Sequence, residues 1–219
     1  MFLATGVDVE FMRSVEVKIC GLTNRDDAQV ALNAGADYLG FVLYPKSPRG
    51  ITALQLAAIL DRLQGAWNAV GVFVNERRDV VEQVARDCRL RAVQLHGDEE
   101  FEEFKDMPTP VWRALRVQAG EAGPAPNAWP AQRYVVDAAV QGQYGGTGVV
   151  ADWEAASRLA ARWPVMLSGG LTPENVAEAI RIVSPAGVNV SSGVEALPGR
   201  KDWEKLRRFI DAARGANVA

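Results

Sequence analysis

Eight short runs rich in β-branched and aromatic residues alternate with segments of helical spacing along almost the whole chain. Several of these runs are continuously apolar, which is typical of parallel strands covered on both faces. Strands that alternate with helices pair in parallel through right-handed crossovers, and this excludes most other folds. The predicted strands are Val15–Cys20, Tyr38–Leu43, Ala69–Val74, Ala92–Leu95, Val111–Leu115, Tyr134–Asp137, Val165–Leu167 and Gly187–Ser191.

Helical spacing fills most of the intervals between these strands. The interval after the fifth strand differs, because Ala119–Pro130 contains three prolines and two glycines that interrupt a regular helix. We therefore expect helix 5 to be short or replaced by a loop. The predicted helices are Asp26–Ala34, Thr52–Leu63, Glu76–Cys88, Asp98–Lys105, Asp152–Arg162, Pro173–Val183 and Lys201–Ala213.

Eight such units predict an α/β fold, a single-domain (β/α)8 TIM barrel. An open doubly wound sheet is the competing architecture, but it usually carries a GxGxxG turn after its first strand. Here the first strand leads into Cys20-Gly21-Leu22, and no GxxxxGKS or GxxxxGKT loop is present. We assign the barrel to residues 15–219 and interpret residues 1–14 as an N-terminal extension that the fold does not need.

Composition excludes several other classes of protein. Of the 219 residues, 48% are hydrophobic and 23% charged, as in an average globular protein. No stretch reaches the roughly 18 apolar residues of a membrane-spanning helix, and no basic segment precedes an apolar signal core. Two cysteines without a CxxC pair favour a reducing cytoplasm. A net charge of −3 without a basic stripe argues against nucleic acid as a partner.

Glycine-rich turns follow the last two predicted strands. In such barrels the C-terminal ends of the strands surround the active site, and the turns after strands 7 and 8 usually bind phosphate. The turns here are Ser168-Gly169-Gly170 and Ser191-Ser192-Gly193. Glycine lets backbone N–H groups approach phosphate oxygens. Either turn alone is consistent with chain reversal only, but the two together favour a phosphate site.

Cys20 and Asp137 end the first and sixth strands and are candidates for acid–base chemistry. Cys20 is either a buried small hydrophobe or a reactive thiol, which needs nearby positive charge to act as a base. Lys18 could supply that charge, although as a strand residue it could lie too deep. Asp137 is either a proton donor or an acid that caps a helix or anchors a loop. Cys88 lies in a predicted helix, where we expect packing only.

Two further polar residues stand at strand ends. Arg49 is either a carboxylate-binding residue or a solvated surface arginine. His96, the sole histidine, argues against a multi-histidine metal site. We interpret it as an orienting hydrogen-bond partner rather than a catalyst.

These stretches, in this order, resemble the phosphoribosylanthranilate isomerase family of tryptophan biosynthesis. The resemblance runs from about Val15 to Ala213. Each motif alone is a moderate signal, but their joint order and spacing are specific. The matching motifs are Lys18–Gly21, Ser47–Arg49, Val70–Asn75, Gln94–Asp98, Asp137 with Gly145–Gly148, Leu167–Leu171 with Pro173–Val176, and Val190–Glu195 with Pro198-Gly199.

The resemblance implies a cofactor-free isomerase. It would catalyse the Amadori rearrangement of N-(5-phosphoribosyl)anthranilate to 1-(2-carboxyphenylamino)-1-deoxyribulose 5-phosphate. By resemblance, Cys20 is the general base and Asp137 the general acid. The implied substrate-binding residues are Arg49, His96 and Asn189, and the implied phosphate-binding residues are Gly146, Gly148, Gly169, Gly170, Ser192 and Gly193. The only partner implied is a small phosphorylated substrate, with no nucleic acid, metal or membrane, for a protein that is a monomer or homodimer.

One departure bears on activity. The family usually has Asp where this chain has Asn189, which keeps the shape but brings no negative charge. A barrel that binds a phosphorylated ligand without catalysis is therefore an alternative. Other phosphate-binding barrels, such as indole-glycerol-phosphate synthase or a bifunctional sugar-phosphate isomerase, are further alternatives. The first needs a Lys and Glu set that the chain does not show, and the second typically uses paired aspartates without the Cys of strand 1.

Overall fold

Eight parallel strands close into a barrel in the computed structural model, which describes residues 15–118, 121–138 and 152–216. The first strand pairs with both the second and the last, and the fourth pairs with the fifth, so the ring is complete. The predicted (β/α)8 architecture is thereby confirmed. The barrel strands are β1 (Glu16–Ile19), β2 (Tyr38–Val42), β3 (Ala69–Phe73), β4 (Ala92–Leu95), β5 (Val111–Gln118), β7 (Arg133–Ala138), β8 (Val165–Leu167) and β9 (Gly187–Val190), and β6 (Glu121–Gly123) pairs antiparallel with β5.

Helices occupy most of the connections, and their ends follow local chemistry. Thr52 caps its helix in a reciprocal capping box with Gln55. The helix before Gly35 ends where that glycine adopts a φ of +95°. The helices are α1 (Arg25–Asn33), α2 (Ala53–Leu60), α3 (Arg78–Asp87), α4 (Phe101–Phe104), α5 (Trp153–Ala160), α6 (Val176–Val183) and α7 (Trp203–Arg214), and a short hairpin of β10 (Glu195–Leu197) and β11 (Arg200–Lys201) precedes α7.

The connection after β5 agrees with its prediction, and two other connections differ in detail. In place of helix 5, the described part of Ala119–Pro130 forms β6 and a turn, as its prolines and glycines suggested. Helix α4 is a single turn that begins at Phe101, because the preceding residue Glu100 has an extended backbone with φ −82° and ψ 140°. Helix α6 begins at Val176, since the segment from Pro173 forms a separate turn that Thr172 caps.

The barrel interior is apolar at one end and polar at the other. Because strand side chains alternate, the inward residues form layers along the barrel axis. An inner apolar cluster fills the layer near the N-terminal ends of the strands, and Tyr38 packs against it. The larger apolar cluster includes the buried faces of the helices. The inner cluster consists of Val70, Ala92, Trp112, Val135 and Met166.

None of the helices in the described part of the chain has the length and apolar character needed to span a bilayer. The extension predicted for residues 1–14 lies outside the described residues.

Candidate active site

A cleft opens at the C-terminal ends of the barrel strands. Apolar and polar side chains both line it, as in a site for a small-molecule ligand. Gly146 and Gly148 lie outside the described residues. The cleft is lined by every other predicted site residue, namely Cys20, Arg49, His96, Asp137, Gly169, Gly170, Asn189, Ser192 and Gly193.

A buried ammonium group stands beside the Cys20 thiol. Lys18 is fully buried, and its Nζ donates to Cys20 Sγ at 3.3 Å, Gln94 Oε1 at 2.9 Å and Asn189 Oδ1 at 3.0 Å. These contacts use the three donors of an ammonium group. The sequence suggested that Lys18 could lie too deep in the barrel to reach the thiol. Its buried position is what places the ammonium next to Cys20 Sγ. Because two of the acceptors are neutral amides, the sulfur is the acceptor of the three that can become an anion.

Gly40 on β2 provides the space for this arrangement. A Cβ at that position would lie 2.9 Å from Cys20 Sγ and 3.0 Å from Lys18 Cε. Any other residue would therefore displace the thiol or the lysine. Sequence reasoning missed Gly40, although a glycine inside a strand often marks a close approach.

The imidazole of His96 is neutral and lies near Asp137. Gln94 Oε1 accepts from Lys18, so Gln94 Nε2 is the donor to His96 Nδ1 at 2.8 Å. The remaining hydrogen is thus on Nε2, which is 3.9 Å from Asp137 Oδ2, too far for a hydrogen bond. Burial, followed by the charges of Lys18, Arg116 and Arg113, lowers the pKa of His96 to about 3. His96 and Asp137 therefore do not form an ion pair near neutral pH.

Asn189 extends the same network to the next strand. Its Nδ2 donates to Ser168 Oγ at 2.9 Å while its Oδ1 accepts from Lys18. Residues 18 and 189 are register partners on β1 and β9, so the side chains emerge together. A continuous chain of hydrogen bonds thus joins Ser168, Asn189, Lys18, Gln94 and His96. Gln94 belongs to one of the quoted motifs, but no role was predicted for it.

Arg49 forms a buried bidentate ion pair rather than a solvated surface contact. Its Nε donates to Glu195 Oε1 at 2.8 Å and its Nη2 to Glu195 Oε2 at 2.7 Å. The side chains are only 11% and 5% exposed. The hydrogen bonds that Arg49 donates to Glu195 raise the pKa of Arg49. Glu195 and its second partner, Lys201, were not singled out from the sequence; Glu195 lies in the quoted motif without a role.

The two glycine-rich turns pack against each other. Gly169 and Gly170 adopt φ values of +87° and +63°, which glycine tolerates. A Cβ on Gly193 would collide with the carbonyl oxygen of Leu171, so the turn after β9 lies directly on the turn after β8. The buried Ser191 Oγ has no hydrogen-bond partner among the described residues. This pair of turns can receive an anion through backbone N–H groups.

Comparison with known proteins identifies the family. Residues 17–212 match the family model for N-(5'-phosphoribosyl)anthranilate isomerase. An isomerase of that name from Trichlorobacter lovleyi is 46% identical, over 92% of this chain and 99% of its own. The phosphoribosyl anthranilate isomerase structure from Thermotoga maritima is 38% identical with a TM-score of 0.82, covering 92% of this chain and 99% of its own. A further structure of such an isomerase, in complex with reduced 1-(o-carboxyphenylamino)-1-deoxyribulose 5-phosphate, has a TM-score of 0.79 at 38% identity and the same two coverages.

Matches of this extent, with the site residues gathered at one end of the barrel, show that the chain belongs to the N-(5'-phosphoribosyl)anthranilate isomerase family.

Proposed function

We propose that this chain catalyses the Amadori rearrangement of N-(5-phosphoribosyl)anthranilate to 1-(2-carboxyphenylamino)-1-deoxyribulose 5-phosphate, in tryptophan biosynthesis in the cytoplasm. One observation carries the proposal. The thiol of Cys20, which accepts a hydrogen bond from the buried Lys18 ammonium, lies in the same cleft as the carboxyl group of Asp137. Arg49 and the two glycine-rich turns line this cleft as well. Such a reaction needs one base, one acid and anion-binding groups at two ends.

Asp137 starts the reaction as the general acid. It gives its proton to the furanose ring oxygen, and the bond between that oxygen and C1′ breaks to leave a protonated Schiff base. Cys20, as the thiolate, then removes the proton from C2′, and the electron pair of that bond forms an enolamine. Tautomerisation of the enolamine gives the ketone. Every step moves protons within the substrate and two side chains, so the chemistry requires no cofactor.

Lys18 acts on this sequence through the sulfur. Its ammonium, 3.3 Å from Cys20 Sγ, stabilises negative charge on the thiolate before proton abstraction. Arg49 and Lys201 lie within electrostatic range of the same sulfur. Cys20 is therefore surrounded by cationic groups although the whole protein carries a charge of −3.

The substrate is bound at its two anionic ends. Arg49 has N–H groups beyond those that bind Glu195 and takes the anthranilate carboxylate. The turns containing Gly169, Gly170, Ser192 and Gly193, together with Gly146 and Gly148 by resemblance, take the phosphate. His96 and Asn189 contact the ribose portion between them. We expect the protein to be a monomer or a homodimer. The related isomerase from Thermotoga maritima is described as dimeric.

A fluorescence assay tests the proposal. Purified protein is mixed with freshly generated phosphoribosylanthranilate, and the loss of substrate fluorescence is followed. We expect turnover by the wild-type protein. The variants Cys20→Ser and Asp137→Asn should lower kcat/KM by about 10²- to 10⁴-fold, the usual contribution of an acid or base. A folded wild-type sample without turnover would favour the binding-only alternative, and a near-normal rate in either variant removes that residue from the mechanism.

A further inference from the structure

The hairpin that follows the last barrel strand holds the guanidinium of Arg49 from outside the cleft. Glu195 in β10 binds two adjacent nitrogens of Arg49, at 2.8 and 2.7 Å. A guanidinium has five N–H donors in one plane, and this contact uses two of them. The bidentate contact fixes the plane of the group, whereas a single hydrogen bond would let it rotate. The other donors remain available on the side of the cleft that Arg49 lines.

Lys201 in β11 ties the same carboxylate to the turn after β9. Its side chain is fully buried, and its Nζ donates to Glu195 Oε1 at 3.0 Å and to the carbonyl oxygen of Ser191 at 3.1 Å. The backbone N–H of Gly199 adds a contact of 3.3 Å to Glu195 Oε1. A continuous set of polar contacts therefore runs from Arg49 to the first residue of the turn that contains Ser192 and Gly193.

The charges of this cluster leave it positive. Two cations, Arg49 and Lys201, share the one carboxylate of Glu195. Burial alone would raise the pKa of Glu195, but the hydrogen bond from Arg49 and the charge of Lys201 outweigh it and lower that pKa. Glu195 is therefore ionised near neutral pH and neutralises only one of the two cations. Of the two cations only Arg49 lines the cleft, and the positive charge beside the cleft favours an anionic ligand group there.

We infer that Glu195 and Lys201 are positioning residues that hold Arg49 at a fixed orientation and distance from the phosphate-binding turn, and thereby select ligands that carry both an aryl carboxylate and a phosphate. The inference rests on the proposed function, because it takes Arg49 as the carboxylate-binding residue. It gives the hairpin of β10 and β11 a role in ligand binding, although among the described residues this hairpin forms no hydrogen bond with Cys20 or Asp137.

Binding of two ligands to the wild-type protein and to two variants tests this positioning role. The first ligand is reduced 1-(o-carboxyphenylamino)-1-deoxyribulose 5-phosphate, and the second is the same compound without the ring carboxylate. Dissociation constants are measured by calorimetry for wild type, Glu195→Gln and Lys201→Met. We expect wild type to prefer the carboxylated ligand, and Glu195→Gln to lower that preference by at least about tenfold, while its affinity for the second ligand stays within about twofold. Lys201→Met should lower the preference and also weaken the second ligand, because it releases Ser191.

Matched variants keep the result interpretable. Glu102→Gln removes a carboxylate from an exposed ion pair and should change neither affinity. Glu195→Asp covers the case in which Glu195→Gln does not fold, since it keeps the charge and shortens the reach; it should lower the preference for the carboxylated ligand. A general disruption of the site would weaken both ligands by the same factor and leave the preference unchanged, and that outcome overturns the inference.

Failure of this inference is distinguishable from failure of the proposed function. Folded Glu195 and Lys201 variants that keep the wild-type preference overturn the positioning role, while wild-type turnover leaves the proposed function intact. A wild type without turnover refutes the proposed function. A wild type without any preference for the carboxylated ligand refutes Arg49 as the carboxylate-binding residue and the inference with it.

Discussion

At the scale of single residues, the ammonium of Lys18 organises the side of the cleft that contains Cys20. A buried charge costs several kcal/mol unless its partners compensate it. Its three partners are a thiol and the side-chain amides of Gln94 and Asn189. Because neither amide carries a charge, the ionisation of Cys20 is the compensation that these contacts offer. A change of charge at position 18 or 189 should therefore be felt at the sulfur.

Asn189→Asp should move the reactivity of Cys20 to higher pH. A carboxylate at position 189 would pair with Lys18 and compete with the sulfur for its positive charge. We expect the pH profile of Cys20 alkylation by iodoacetamide to shift upward by about one pH unit. The measurement uses a Cys88→Ser background so that one thiol reacts. Asn68→Asp adds the same charge at an exposed position and should leave the profile in place. An unchanged or downward shift in Asn189→Asp would contradict this account.

Lys18→Met should slow the reaction without loss of substrate binding. Methionine has a similar length and no charge, so the space beside Gly40 stays filled while the sulfur loses its cationic partner. We expect kcat to fall by at least about 10²-fold with KM within a few-fold. The same variant should shift the alkylation profile upward, which a purely structural defect would not do. A normal kcat in a folded Lys18→Met protein would show that the ammonium has no part in catalysis.

At the scale of elements, a second buried ion pair holds the loop that carries His96. The Glu99 carboxylate accepts from the backbone N–H groups of Asn75 at 2.8 Å and Gly97 at 2.9 Å, and from Arg113 at 2.7 Å. Arg113 in turn donates to the carbonyl oxygens of Leu95 and Gly97. The ends of β3, β4 and β5 are thus joined through two side chains, and His96 follows directly from one of these ends.

Glu99→Gln should destabilise the whole barrel. The variant leaves the Arg113 guanidinium, whose pKa burial already lowers, without its anionic partner. Removal of one member of a buried pair costs about 3–5 kcal/mol in the free energy of unfolding. Urea denaturation measures it, with Glu174→Gln as the matched control. Glu174 pairs with Arg208, whose side chain is 55% exposed, and exposed pairs of this kind contribute at most about 1 kcal/mol to the free energy of unfolding. Equal costs for the two variants would mean that Glu99 does not hold the loop.

Strands and helices were predictable where a short segment of sequence determines them. The prediction missed features that depend on contacts between residues far apart in the chain. Short runs rich in β-branched and aromatic residues predicted all eight barrel strands, and the prolines and glycines of Ala119–Pro130 predicted that a regular helix 5 would be short or replaced by a loop. The segment before α4 contains Glu99, whose ion pair with Arg113 no local pattern reveals. The ion pair of Arg49 with Glu195 likewise joins residues far apart in the chain. Sequence motifs thus singled out residues that line the cleft, but not the side chains that hold them in place.

At the scale of the molecule, the charge distribution opposes the net charge. The protein carries −3, yet Lys18, Arg49 and Lys201 surround Cys20 at one end of the barrel. Positive charge concentrated in a concave surface attracts anionic ligands more strongly than the same charge dispersed over the surface. Lys18 also opposes protonation of His96: burial is the largest cause of its lowered pKa, followed by the charges of Lys18, Arg116 and Arg113.

The stability of the whole protein should therefore fall with acidification in a way that His96 controls. The folded-state pKa of His96, about 3, lies below its ordinary value of 6.5, so the unfolded chain binds the proton more readily. Stability from this group is complete above about pH 6.5 and is lost as the pH falls toward about 3. From about pH 7 to about pH 5.5 the free energy of unfolding should drop by about 1 kcal/mol on account of His96.

Urea denaturation of wild type and His96→Gln at these two pH values isolates that contribution. Glutamine does not titrate, so the drop should be smaller in the variant by about 1 kcal/mol, whatever its stability at neutral pH. Carboxylates in both proteins titrate alike, and their effects cancel in the difference. An equal drop in the two proteins would mean that His96 accepts a proton in the folded barrel as easily as in water. That result would contradict the assignment of His96 as a neutral imidazole and the tautomer assigned to it.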